Sequence, residues 1–228
     1  MSGARLLFRA PVGIGAPLNT QHSTLNFLLR AFLFDIGNVL LRFDFNIALR
    51  KIAAQSDALD PADLLARMEP LKFMLEDGQL DRAAFLPAIF DVLRYRGTEA
   101  EFIAAWEDIF EENQPMTALV ERLHGRYPLY LLSNTNDLHV DYFLRRYPVF
   151  RHFCGGVYSH KVRASKPSPE IYRIACRQLG IEPGTTFFID DLRPNIEAAR
   201  ALGFCTHHYH HEKHGDLLAA LETEGVAL

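Results

Sequence analysis

At 228 residues, with 49% hydrophobic and 23% charged residues, the chain suits one large globular domain, or a core domain carrying an inserted lobe. A formal net charge of −4 spread over a mixed surface excludes the basic footprint of a nucleic-acid or anionic-membrane binder, and no apolar run approaches the ~18 residues of a membrane-spanning helix. Three cysteines, Cys154, Cys176 and Cys205, lack CxxC spacing and predict buried free thiols in a reducing, cytoplasmic setting, not a disulfide framework or a zinc site.

Residues 1–30 carry no Asp or Glu and only Arg5, Arg9 and Arg30 as charges. Basic, acid-poor leaders read as targeting peptides, but here no clean apolar stretch is followed by small residues, and Pro11, Gly13, Gly15 and Pro17 interrupt any amphipathic helix. The stretch is therefore expected to be a disordered extension. The first strand follows as "AFLF" (31–34), and it ends on Asp35, with Gly37-Asn38 suited to a tight turn.

Residues 44–118 change texture. Helical periodicity runs over 46–56, 60–76, 80–96 and 98–112, punctuated by Asp60-Pro61, Asp77-Gly78 and Gly97-Thr98, with almost no strand pattern. Four further buried strands are then expected at "LYLLS" (129–133), "GGVYS" (155–159), "TFFID" (186–190) and "FCTHHY" (204–209). Helices at 136–147, 169–179 and 193–202 alternate with them. This order predicts an α/β fold: a doubly wound, Rossmann-like parallel sheet from residues 31–43 and 119–228, with residues 44–118 inserted as an α-helical cap. Ligands of such sheets bind where the strands end, near a topological switch point.

Four expected strands lead directly, or after a short loop, to chemically capable side chains. They are Asp35; Ser133-Asn134-Thr135-Asn136; Lys166-Pro167; and Asp190-Asp191. Taken singly each is ordinary: Ser133-Asn134 could be a turn, Lys166 a solvated loop residue, and one aspartate of the pair a helix cap before Pro194. Together they describe a site for a divalent cation and an oxyanion. Carboxylate oxygens suit Mg²⁺, a lysine and main-chain amides suit phosphate, and a carboxylate beside the metal can attack phosphorus.

The set "FDIGNVL", "LLSNTN", "SKPSPEIY" and "FFIDDLRPNIEAARALG" resembles, in order, the four motifs of the haloacid dehalogenase superfamily of phosphohydrolases, over roughly residues 31–225. The insertion after the first motif resembles that family's helical cap, and "DIGNV" with "SNTNDLH" is similar to bacterial members acting on glucose 1-phosphate. The resemblance implies Asp35 as nucleophile and metal ligand, with the main-chain carbonyl of Gly37 as a second ligand. It implies Ser133 and Asn134 as phosphoryl-binding residues, and Lys166 as the cation that neutralises the phosphoryl group and orients Asp35. Asp191 is implied to hold Mg²⁺, with Asp190 beside it as a partial ligand. Asn195 stands where many members carry another acid, so the metal shell here leans more on water. The expected function is hydrolysis of a small phosphorylated metabolite, a sugar phosphate such as glucose 1-phosphate, through an aspartyl-phosphate, with no nucleic-acid or membrane partner. Oligomeric state leaves no mark in the sequence.

Most phosphatases of that superfamily carry a second aspartate two residues after the nucleophile, which protonates the leaving group. Here that position is Gly37, and Asn38 cannot shuttle protons. Loss of a general acid/base costs ~10²–10⁴-fold in rate. Three readings stay open: a phosphatase whose leaving group needs little protonation, a 2-haloacid dehalogenase, or a weakly active or non-catalytic phosphosugar binder. Against the second, dehalogenases usually carry an aromatic residue followed by Gly-Thr where this chain has "GNV". The tract "HHYHHEKH" (His207, His208, His210, His211, His214) scatters over both faces of a strand and is expected to be an exposed edge, not a metal site. His139 either approaches the phosphate site or closes a helix start. In the cap, Phe45, Asn46, Phe73, Met74 and Trp106 are expected to serve mainly as packing.

Overall fold

The computed structural model describes residues 28–57 and 60–228. The extension expected over 1–30 therefore lies almost wholly outside the described residues.

Strand β1 (Ala31–Phe34) is an apolar run buried at every residue, as befits a central parallel strand covered on both faces. The chain then turns through Ile36–Leu41, makes the short strand β2 (Leu41–Phe43) and enters helices α1 (Phe45–Ala53), α2 (Pro61–Glu76), α3 (Arg82–Leu93) and α4 (Glu99–Glu107). Each helix starts where the sequence supplies a cap. Asp44, Asp60 and Asp81 accept main-chain N–H groups, and Thr98 with Glu101 forms a reciprocal capping box. Strand β3 (Phe110–Glu112) pairs antiparallel with β2, setting Phe43 opposite Phe110.

This ribbon corrects one expectation: residues 98–112 are not one helix. The helix stops at Glu107 and its last residues cross back to β2 as a strand. Three-residue strands show no alternation, and their partner lies far away in sequence, so local pattern could not reveal them. The expected boundary at residue 118 also falls inside a helix, α5 (Gln114–Leu123), whose Met116 and Leu119 pack with the sheet.

The remaining elements are β4 (Leu129–Ser133), α6 (Asp137–Arg146), β5 (Gly155–Tyr158), the short α7 (Ser159–Val162), α8 (Pro169–Leu179), β6 (Thr186–Asp190), α9 (Arg193–Ala201), β7 (Cys205–His208) and α10 (His214–Thr223). The large sheet is parallel throughout, in the order β5-β4-β1-β6-β7. The chain builds outward from β1 on one side, then crosses to build the other, so the carboxyl end of β1 is the switch point.

Side-chain alternation along β1 splits the core into two layers. Phe32 and Phe34 pack with α5, α6 and α10, whereas Ala31 and Leu33 pack with α8 and α9. Helices α1–α4 enclose their own apolar cluster around Trp106, which lies between Phe85, Phe102 and Phe45 and stacks on His139. No helix among the described residues is long and apolar enough to cross a membrane. The thiols are free, but the expectation that they are buried fails: Cys154 is exposed on the loop before β5, and Cys176 and Cys205 are partly exposed.

Trp106 anchors the helical lobe, yet its indole N–H is buried with no acceptor among the described residues. Trp106→Ala should cost about 3–5 kcal/mol of unfolding free energy in a urea titration. Trp106→Phe should cost distinctly less, because it also removes an unsatisfied donor.

Candidate active site

Asp35 is the first residue beyond β1. Its N–H still bonds the Ile189 carbonyl at 2.9 Å, so the flanking ladder fixes its backbone before the chain turns. The turn folds back on the Ile36 carbonyl, which accepts from the N–H groups of Leu40 and Leu41, both at 2.9 Å. Asn38 supplies the left-handed residue of this turn, at φ 53°, a conformation Asn tolerates better than most.

Ser133 ends β4 and is buried. Lys166 reaches in from the loop before α8, and its ammonium lies 2.7 Å from Asp35 Oδ1 and 2.6 Å from Asp190 Oδ2. Oxygens of Asp35, Asp190 and Asp191 all lie within 4.8 Å of one another. The fold brings Asp35, Gly37, Ser133, Asn134, Lys166 and Asp191 together around one pocket of about 180 Å³, with Asp190 beside Lys166, while Thr135 and Asn136 stand outside it.

The details refine the expected roles. Asn134 spends its side chain on Lys166, accepting from the Lys166 N–H and donating to the Lys166 carbonyl, both at 2.8 Å. It clamps the lysine loop to β4, which leaves its main-chain N–H as the group it can offer an oxyanion. Asp190 is fully buried, and its oxygens accept from Lys166, from Asn195 Nδ2 at 2.9 and 3.1 Å, and from the Leu192 N–H at 2.8 Å. Asn195, at the position expected to carry an acid, is therefore a donor to Asp190. Tyr172 supports it from behind by donating to the Asn195 carbonyl at 2.9 Å.

Sequence reasoning missed Asn38, whose amide donates to Asp191 Oδ2 at 3.0 Å and so ties the turn after Asp35 to the second acidic strand end. His208 bonds the Asp191 carbonyl at 2.7 Å through Nε2, so one member of the histidine tract buttresses the site. His207 precedes His208 within β7, and His210, His211 and His214 lead on to the start of α10. His139 resolves as a structural residue. Asn136 caps α6 by accepting the His139 N–H and donates its amide to Nδ1, while Nε2 donates to the Trp106 carbonyl. Burial pushes that imidazole down to about 3, so it is neutral.

Three carboxylates face one lysine. Burial pushes Asp35 up to about 7, with Lys166 opposing the rise and Asp190 and Asp191 adding to it. Burial also raises Asp191, which Asn38 partly offsets by its hydrogen bond. For Lys166, burial alone would lower the ammonium, but Asp35 and Asp190 outweigh it and hold it above its ordinary value. Hard oxygen donors with an excess of negative charge fit a divalent cation such as Mg²⁺.

Beyond this pocket lies a smaller chamber of about 90 Å³ under the helical lobe, bounded by Phe45, Lys72, Glu76, Ile109, Phe110 and His139. Gly37, Phe43, Ser133 and Asn134 border both spaces. Gly37 packs closely: a Cβ there would stand 3.1 Å from the Phe43 ring, which would have to shift slightly.

A family model for haloacid dehalogenase-like hydrolases matches residues 29–203. D-ribitol-5-phosphate phosphatase of Bacteroides thetaiotaomicron is 27% identical over 191 residues, covering 78% of this chain and 91% of that protein. A phosphatase of phosphorylated carbohydrates from Thermotoga maritima is 27% identical over 186 residues, 77% of this chain and 82% of that one. A haloacid dehalogenase family enzyme of B. thetaiotaomicron, solved with magnesium and inorganic phosphate, superposes with a TM-score of 0.72 at 26% identity, over 78% of this chain and 93% of that one.

The charge imbalance has a measurable sign. In the fold Asp35 titrates above an ordinary aspartate, so its contribution to stability is complete below about pH 4 and is lost as pH rises through 7. Without a divalent cation the melting temperature should fall across that window, and Asp35→Asn should flatten the fall. Added Mg²⁺ should raise the melting temperature more at pH 7.5 than at pH 5. With its sheet, its strand-end acids and its matching model, the chain belongs to the haloacid dehalogenase-like hydrolase family.

Proposed function

We propose that the protein is a cytoplasmic, Mg²⁺-dependent phosphatase of a small phosphorylated sugar or sugar alcohol. The observation that carries this reading is the buried Lys166 held between Asp35 and Asp190 at the sheet's switch point, with Asp191 beside them. The relatives' names support the substrate class, and the magnesium and phosphate complex of a relative supports the cofactor.

Asp35, Asp191 and the main-chain carbonyl of Gly37 would hold Mg²⁺, which when bound neutralises charge on the phosphoryl oxygens. Asp35 attacks phosphorus in line, through the oxygen not committed to Lys166. Lys166, the Ser133 hydroxyl and the main-chain N–H of Asn134 receive the equatorial oxygens. Such positioned charge supplies most of the acceleration in phosphoryl transfer. The sugar leaves, and water then cleaves the aspartyl-phosphate. Asp190, already saturated by Lys166, Asn195 and Leu192, acts as the anchor of the lysine. The helices over the pocket act as a cap that limits bulk water.

The test is phosphate release with Mg²⁺ from glucose 1-phosphate, glucose 6-phosphate, fructose 1-phosphate and ribitol 5-phosphate. At least one should turn over, chelation of Mg²⁺ should stop it, and Asp35→Asn should abolish it. A 2-haloacid panel run alongside should release no halide. The reverse pattern would assign the chain to the dehalogenases.

A further inference from the structure

We propose that Glu76, on the helical lobe, is the general acid and base of this site, doing from above what no side chain at position 37 can do. The assignment rests on the phosphatase reading and adds the missing proton carrier to it.

Two spaces share a wall. A phosphoryl group bound between Asp35 and Lys166 would turn its ester oxygen toward the chamber that shares Gly37, Phe43, Ser133 and Asn134 with the site. Three titratable side chains bound that chamber: Lys72, Glu76 and His139. His139 is neutral and bonded through both ring nitrogens, so it has no proton to exchange. Lys72 donates to Glu76 Oε1 at 2.8 Å and lies over the Phe45 ring at 5.9 Å, committed as a cation. Glu76 remains.

Its backbone is fixed to the sheet domain by contacts that a mere lobe residue would not need. The Ser159 hydroxyl donates to the Glu76 carbonyl at 2.5 Å while accepting the Thr135 N–H at 2.9 Å. Ser165, next to Lys166, donates its hydroxyl to Asp77 Oδ1 at 3.0 Å. Gly78 turns away at φ 69° with its Cα pressed on the His160 carbonyl, where a Cβ would collide. So residues 76–78 are pinned at three points, to Ser159 and His160 of α7 and to Ser165 on the lysine loop. Burial pushes the Glu76 carboxyl up and Lys72 pulls it back, with burial prevailing. The charged and titratable groups around it are Lys72 and Asp77 on its own helix, His139 from α6 and His160 from α7.

The steps balance. As Asp35 forms its bond to phosphorus, the P–O bond to the sugar breaks and the departing oxygen takes the Glu76 proton. In the second step the Glu76 carboxylate takes a proton from water as that water attacks phosphorus. The P–O bond to Asp35 then breaks, giving inorganic phosphate, free Asp35 and reprotonated Glu76.

Glu76→Gln should separate these steps. With a sugar phosphate, turnover should fall about 10²–10⁴-fold, because the leaving alkoxide needs the proton. With p-nitrophenyl phosphate, whose leaving group departs as the anion, the variant should give a burst of nitrophenolate equal to the enzyme present. Slow turnover should follow, with phosphate accumulating on Asp35. Lys72→Met, which removes the cation beside Glu76, should move the corresponding limb of the pH–rate profile upward. A Glu76→Gln enzyme that keeps its sugar-phosphate rate within threefold, or that loses burst and turnover alike while still melting cooperatively, overturns the assignment. Wild-type protein that turns over neither substrate overturns the phosphatase reading itself. Wild-type turnover with an unaffected variant overturns Glu76 alone.

Discussion

The site depends on one buried cation. Lys166 lies with its ammonium almost wholly out of water, between two carboxylates brought together at the carboxyl ends of the adjacent strands β1 and β6. A charge in that position cannot be left unpaired, and removing one partner of such a buried pair costs about 3–5 kcal/mol. The consequence runs through the whole arrangement. Asp190 needs further donors, which Asn195 and Leu192 provide at the start of α9. Lys166 needs a fixed backbone, which Asn134 provides from the end of β4. Strand β1, the lysine loop and strand β6 are therefore registered to one another by electrostatics as well as by the ladders of the sheet.

The balance is deliberately incomplete. One lysine does not neutralise three carboxylates, and the surplus falls on Asp35 and Asp191, the two that open to the pocket. Asp190, fully enclosed, has its hydrogen bonds satisfied. This division separates an enclosed, hydrogen-bonded acid from one open to the pocket within an adjacent pair, although Asp190 and Asp191 are identical residues in sequence. Burial and partners make the difference.

Much of this could be read without coordinates. The apolar runs ending on Asp35, Ser133 and Asp190 marked parallel strands, because continuous hydrophobicity of that length and a polar stop are what a sheet covered on both faces requires. The helices of the lobe were visible through their caps. What escaped were features set by contact between distant segments. The β2–β3 ribbon has strands too short to show a period. Asn38 looked like a turn residue and nothing more, since its bond to Asp191 spans the whole chain. Lys72 and Glu76 carry no mark in the sequence beyond their spacing of one helical turn, and the docking of α2 on Ser159 places them beside the site. Side-chain identity announced the chemistry of the strand ends, but it could not announce which lobe residue would stand over them.

The close approach of Phe43 to Gly37 ties two positions together for selection. A side chain arising at position 37 would press on the Phe43 ring, which is half exposed and faces Phe110 across the ribbon. A smaller residue at position 43 would relieve that contact, and alone it confers nothing on proton transfer. What position 37 admits is therefore coupled to an aromatic side chain on the ribbon.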